Sequence, residues 1–165
     1  MPRSLASPRT RSAPRPRRDD AATDEAIVVR LLSPGDARLL ETADNALLDG
    51  VDARAVSTLL CDPRRHVAIA LAGSRVVGVA FASDQPRARR APELVVGDVT
   101  VAPSHRRRGI GRRLLALLLA HGRVLGCSEA SAEAERGNGA MRRLCARMGG
   151  VEAAEPTVRV SFPLG

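Results

Sequence analysis

Apolar residues recur along the chain with two different periods, and the switches between them lay out its elements. Ile27-Val-Val-Arg-Leu31 reads as a short strand. Ser33-Pro34-Gly35-Asp36 then carries helix-start chemistry, with Ser33 as N-cap, Pro34 in the first turn and Asp36 close behind. Leu39, Leu40, Ala43, Leu47 and Leu48 follow at helical spacing until Gly50, and residues 53–60 predict a second short helix ended by Asp62-Pro63. Residues 66–72 and 75–82 read as two strands separated by the turn Gly73-Ser74, which predicts a β-hairpin. Residues 83–92 are polar and proline-flanked, and read as a loop. A Val-rich strand spans residues 95–101. A helix with a wide apolar arc (Ile110, Leu114, Leu115, Leu117, Leu118, Leu119) runs to about residue 125. A strand over 127–133, a helix from Gly139 to Met148 closed by Gly149-Gly150, and two short strands near Val151 and over 158–162 complete the pattern. Helices interrupting strands in this order predict an α/β fold, a mixed sheet with helices on both faces.

Composition changes that picture little. At 165 residues and 44% hydrophobic, the chain is long enough for one compact domain with a substantial core. With only Phe81 and Phe162 for aromatics, that core must be Val, Leu, Ile and Ala. All 26 basic residues are arginine, and the net charge of +8 is concentrated at the start, where residues 1–18 hold six arginines and no acid. Without those six, 20 arginines face the same 18 acids. The basic character therefore belongs to a tail, residues 1–24, whose Arg, Pro, Ser and Ala content without periodicity predicts disorder. Residues 25–165 form the expected domain. A tail of this kind makes a weak case for nucleic acid. Cys61, Cys127 and Cys145 are odd in number and widely spaced, so reduced thiols, a cytoplasmic setting and no metal site are expected. No apolar run is long enough to span a membrane, and no membrane partner is expected.

The chemistry concentrates in Val95-Val-Gly-Asp-Val-Thr-Val-Ala-Pro-Ser-His-Arg-Arg-Arg-Gly-Ile-Gly-Arg-Arg-Leu-Leu115. A strand that turns through glycines into a helix presents bare backbone N–H groups at the helix start, a place suited to phosphate or another anion. Arginine side chains at 106–108 and at 112–113 add attraction. The absence of Gly-Lys-Ser/Thr argues against a nucleotide P-loop.

Arg106-Arg-Arg-Gly-Ile-Gly111 matches the Arg/Gln-x-x-Gly-x-Gly/Ala pattern of the GNAT superfamily of acetyl-CoA-dependent N-acetyltransferases. The flanking Val-rich strand, the Leu-rich helix, Asn138 opening the next helix and the glycine pair closing it extend the resemblance over residues 27–162. Within the superfamily the chain resembles the aminoglycoside 3-N-acetyltransferase-like branch, through Asp62-Pro-Arg-Arg-His66, Arg75-Val-Val-Gly78, Glu93-Leu, Asp98 and the ending Val160-Ser-Phe-Pro-Leu164. The resemblance implies a GNAT fold with a central sheet of six to seven strands and about four helices. It implies acetyl-CoA as co-substrate, held by Arg106, Arg107, Arg108, Gly109, Ile110, Gly111, Arg112 and Asn138. The pantetheine arm would pair with the strand edge at Val99, Thr100 and Val101, and a backbone N–H near Val99 would stabilise the oxyanion.

A base is needed to take a proton from the incoming ammonium, and Asp98 and Glu93 are the candidates, Asp98 first. Simple alternation would put them on opposite faces, and a bulge of the kind usual in the family would break that parity. Seven residues after the helix-opening Asn the family often carries a tyrosine acid. Here that position is Cys145, a thiol that could donate a proton or simply pack. His66, His105 and His121 fit no catalytic or metal spacing. His121 lies on the buried arc of its helix, where a satisfied core histidine is expected. Acceptor recognition is expected from the first two predicted helices, with Asp44, Asp49 and Asp52, and from the 83–92 loop. The acceptor is expected to be a primary amine of a small molecule, aminoglycoside-like or polyamine-like. A protein or peptide N-terminus and a non-catalytic acyl-CoA-binding module are the alternatives, and the oligomeric state, monomer or homodimer, is left open.

Overall fold

The computed structural model describes residues 25–43, 47, 58–135 and 137–153. Five strands form one sheet in the order β1-β2-β3-β4-β5: β1 Ile27–Leu31, β2 Arg65–Ala72, β3 Arg75–Arg87, β4 Arg90–Val101 and β5 Glu129–Ala132. The first four are antiparallel neighbours and β5 joins β4 in parallel. A parallel neighbour requires a crossover, and helix α1, Ile110–Val124, supplies it. A second helix, α2, spans Gly139–Arg147.

The sheet explains how α1 comes so close. On β2 and β3 the α1-facing positions are small: Ala68, Ala70, Gly78, Ala80 and Ala82. A Cβ built on Gly78 would lie 3.2 Å from both Ile110 Cγ2 and Leu114 Cδ1. The bulky Val67, Ile69, Val77 and Val79 alternate with them and are buried with Leu32 and Leu40. At the other end of α1, a Cβ on Gly122 would lie 2.9 Å from Leu94 Cδ2 and 3.3 Å from Leu94 Cβ. Gly122→Ala should therefore lower unfolding free energy. Overpacking costs about 1–3 kcal/mol, more than the up to about 1 kcal/mol of helix propensity gained. Urea unfolding checks this, and Leu94→Ala in the same chain should return part of the loss.

Several expectations change. Five strands are present among the described residues, against the six to seven expected. Val151 is described but forms no strand: the N–H groups of Gly149 and Gly150 bond back to the carbonyls of Ala146 and Cys145, Gly149 at φ +86°, which closes α2 instead of extending the chain. The strand over 158–162, the tail, and Asp44, Asp49 and Asp52 lie outside the described residues. Residues 34–42 fold as a 3-10 helix, Pro34–Thr42, with Asp36 accepting the Ser33 N–H at 3.1 Å and pairing with Arg30 at 2.7 Å. The expected 83–92 loop is mostly strand. The β3–β4 hairpin continues through Gln85↔Glu93 to Arg87↔Arg90, with a register irregularity at Pro86, which has no N–H to give. Arg87 holds the extension by bridging Glu93 and Glu129 of β5. No helix among the described residues is long and apolar enough to cross a membrane.

Candidate active site

Besides the irregularity at Pro86, the β3–β4 register slips between Ala80 and Ala82. Ala80 pairs with Val99 and Ala82 with Val96, so Gly97 and Asp98 together face the single residue Phe81. This is a β-bulge in β4. It breaks the alternation that would have put Asp98 and Glu93 on opposite faces. Beyond the bulge β4 has lost its other neighbour, because the β4–β5 ladder ends at Val96↔Ala132. The two parallel strands splay from that point.

The direction of the exposed backbone groups follows from the register. Ala102 N–H donates to Val77 O at 2.9 Å, so Ala102 and Val77 form a hydrogen-bonded pair. Alternation then directs Thr100 toward β3 and turns the N–H and C=O groups of Val99 and Val101 away from it, into the splay. Arg106 confirms this by donating its Nε to Val101 O at 3.1 Å. The side chains of Val99 and Val101 reach the start of α1, each within 4 Å of where a Gly111 Cβ would be.

Across that gap the glycine loop carries two left-handed residues in close succession, Arg107 at φ +65° and Gly109 at φ +76°. An arginine in this conformation is strained by about 1–2 kcal/mol. Alternating handedness turns successive N–H groups to one side, toward the start of α1. Strain of this kind concentrates where a loop holds a ligand.

A cavity of about 700 Å³ opens between these parts. Gly97, Asp98, Val99, Thr100 and Val101 line it from β4, and Arg106, Arg107, Gly109, Ile110, Gly111 and Arg112 from the loop and helix; α2 adds Arg143, Leu144 and Arg147. Asn138 also faces it. Its Oδ1 accepts the Met141 N–H at 3.0 Å, so it caps α2 as well. Nearly every cofactor residue expected from the sequence is thus on one wall or another; Arg108 is exposed and is not part of the lining.

The three catalytic candidates separate. Asp98 is exposed to the cavity. Glu93 is not part of the lining and is engaged by the Arg87 guanidinium. Cys145 is half-buried, packs against the core and is likewise outside the lining. His105, which fitted no catalytic spacing, is half-buried and lines the cavity, its Nδ1 2.9 Å from Ser104 Oγ.

One residue escaped sequence reasoning. Glu133 follows β5 directly, and with Ala132 paired to Val96 it stands across the splay from Asp98, lining the same cavity. The signal for it was an acid at the last position of the strand expected over 127–133. The cavity wall carries both signs of charge. Arg106, Arg107 and Arg112 belong to the loop and the start of α1, Arg143 and Arg147 to α2, and the acids Asp98 and Glu133 to the splayed strands. Among the described residues no cluster of three His, Cys, Asp or Glu suited to a metal is present.

Solved structures share this architecture. An aminoglycoside acetyltransferase from an uncultured soil metagenomic sample, in complex with trehalose, superposes with a TM-score of 0.73 at 18% identity, over 86% of this chain and 99% of that one. The aminoglycoside acetyltransferase AAC(6')-Iy, in complex with the bisubstrate analogue CoA-S-monomethyl-acetylneamine, gives 0.71 at 20% identity, over 84% and 99%. A ribosomal-protein-alanine N-acetyltransferase from Brucella melitensis biovar Abortus 2308 gives 0.70 at 21%, over 83% and 100%. At these identities the likeness is one of fold. No curated protein matches the sequence closely enough to count as a relative. The family model described as acetyltransferase (GNAT) family matches residues 37–150, more than half of the chain and including the bulge, the glycine loop and α2; the chain belongs to that family.

Proposed function

We propose that the chain transfers the acetyl group of acetyl-CoA to a primary amine by direct attack in a ternary complex, with Asp98 as base. The observation that carries this reading is one cavity wall with both signs of charge, arginines and bare N–H groups on the loop and helices, carboxylates on the splayed strands. Coenzyme A is a polyanion joined to an extended amide arm, and an amine acceptor arrives as a cation. Each finds its complement in the cavity wall.

In this reading the diphosphate sits on the N–H groups from Arg107 to Gly111, with Asn138 a further contact. The pantetheine amides pair with the outward groups of Val99 and the N–H of Val101, whose carbonyl Arg106 already occupies. Asp98 takes a proton from the bound ammonium. The free amine nitrogen attacks the acetyl carbonyl carbon, and the Val99 N–H stabilises the oxyanion. The C–N bond forms, the C–S bond breaks, and coenzyme A leaves as its thiolate. The Cys145 position supports packing rather than proton donation, so the thiolate takes its proton from solvent or from the amine. Thiolates are tolerable leaving groups near neutral pH.

Glu133 is assigned to the acceptor's positive charge. Glu133→Gln should raise KM for the amine several-fold and leave KM for acetyl-CoA unchanged; steady-state kinetics with each substrate varied checks the split.

The acceptor class follows from the two carboxylates. A small polycationic amine, aminoglycoside-like or polyamine-like, matches them, and the likeness to aminoglycoside acetyltransferases agrees. The ribosomal-protein-alanine N-acetyltransferase, at a TM-score of 0.70, keeps a protein or peptide N-terminus as the second reading. A screen of aminoglycosides, polyamines and short peptides with acetyl-CoA, read by mass, separates them. Acetylation of polycationic small molecules is expected; acetylation of peptides alone would move the assignment to the second reading.

A further inference from the structure

About 16 Å along α1 from the glycine loop, at 1.5 Å per residue, the helix is fastened to the sheet by polar atoms. His121 lies in the last turn of α1. Its Nε2 is 3.2 Å from Nδ1 of His66 on β2. The Nε2 of that second ring is 2.8 Å from Oδ1 of Asp84 on β3. The rings meet edge to face, with centroids 4.7 Å apart and planes inclined at 71°. His66 is the one buried polar side chain among the described residues, at 9% exposure. None of the three residues lines the acetyl-CoA cavity. A carboxylate and two imidazoles thus join three elements in a single row.

The row has a defined capacity for protons. With none added, His66 Nε2–H donates to Asp84 and His66 Nδ1 accepts from His121 Nε2–H. One proton can enter at His121 Nδ1 while the proton on His121 Nε2 crosses to His66 Nδ1. His66 is then an imidazolium against a carboxylate, donating to the now unprotonated His121 Nε2. Short of protonating the Asp84 carboxylate, a second proton must go to His121 Nε2. N–H then faces N–H, with two like charges and no acceptor between them.

We propose that Asp84, His66 and His121 form a proton-counting latch that holds the last turn of α1 on β2 and β3 with zero or one added proton and releases it with two. Burial, and after it the charge of His66, hold His121 below the ordinary imidazole value, while Asp84 acts in the opposite sense. Arg64 and Arg65 immediately precede His66 and are exposed; the Arg64 carbonyl accepts the Asp84 N–H at 3.1 Å, and the Arg65 guanidinium lies 3.8 Å from Asp62. β4 presents the apolar Leu94 against Gly122. The Cys127 thiol after α1 is raised, by burial first and then by Asp84, and so stays neutral. Arg123 of the same turn is exposed. The sign follows from linkage. His121 is depressed in the folded protein, so the unfolded chain binds its proton more readily. The contact contributes fully above about pH 6.5 and is lost as pH falls through the folded value.

Imidazole ¹⁵N NMR on the full chain between pH 8 and 4.5 tests the latch. At pH 7.5 both histidines should carry their proton on Nε2, and on acidification the two rings should titrate as a coupled pair in two steps. In His66→Gln the His121 midpoint should rise toward the ordinary value, because the like charge of His66 is removed. Between pH 7.5 and 5, wild type should lose more Tm than His121→Gln. Independent single-step titrations, the same His121 midpoint in wild type and His66→Gln, or parallel Tm profiles would each overturn the proposal. Should His66→Gln fail to fold, the wild-type tautomers decide alone: His121 unprotonated at Nε2 while His66 is unprotonated at Nδ1 contradicts it.

Discussion

Asp98→Asn is expected to lower kcat by about 10²–10⁴-fold, the usual worth of a positioned general base, while acetyl-CoA affinity stays at the wild-type value. The split is what the geometry demands. Asp98 sits in the bulge, where two β4 residues face Phe81, and it borders the same cavity as the outward groups of Val99 and Val101. Asparagine keeps the shape but cannot accept the ammonium proton. A parallel Glu93→Gln should cost stability instead of turnover, because Glu93 is committed to Arg87 in the hairpin extension. Full turnover in Asp98→Asn, or a large kcat loss in Glu93→Gln with Asp98 intact, would reverse the assignment. Initial rates of thiol release, with Tm measured on each variant, distinguish these outcomes.

Gly109→Val should weaken acetyl-CoA binding by about 5- to 150-fold and leave the fold in place. Gly109 adopts φ +76°, and a Cβ built there meets nothing within 4 Å. The substitution therefore meets no steric obstacle from the surroundings, only the backbone conformation. Holding a β-branched residue left-handed costs about 1–3 kcal/mol, and that figure sets the expected range through the affinity scale. If the loop relaxes to negative φ, the N–H groups it aimed at the ligand turn away and the same loss results. Gly111→Ala serves as contrast: its Cβ would be 3.7 Å from Leu144 and Val99, an ordinary contact, so a far smaller effect is expected. Calorimetric titration with acetyl-CoA reads both, and equal affinity in Gly109→Val and wild type would show that the loop does not carry the cofactor.

What was legible in the sequence was local or carried by a family pattern. The strand–loop–helix from Val95 to Leu115 needed only β-propensity, glycine and a leucine arc, all set within a short window. The hairpin at Gly73-Ser74 and the helix after Asn138 were readable for the same reason, each with its turn or cap residue in place. The failures share one cause, partners distant in sequence. Residues 83–92 look like a loop because Pro86 and the arginines around it suppress the strand signal. They are strand because Arg87 finds Glu129, 42 positions away. Glu133 joins the cavity only through the β4–β5 register. His66 and His121, 55 positions apart, had no pattern to announce them. The division between Asp98 and Glu93 turned on a bulge whose consequence, though not its presence, could be read from alternation alone.

The central claim is direct acetyl transfer within a ternary complex, and the most direct measurement follows thiol release from acetyl-CoA in a single turnover, with and without a polyamine or aminoglycoside acceptor, together with the mass of the protein. Thiol release only when the amine is present, one acetylated amine per thiol, and no acetyl adduct on the protein are the expected result. Stoichiometric thiol release without amine, with an acetyl adduct on Cys145 or any other residue, or tight acetyl-CoA binding with no release whatever the amine, would contradict it.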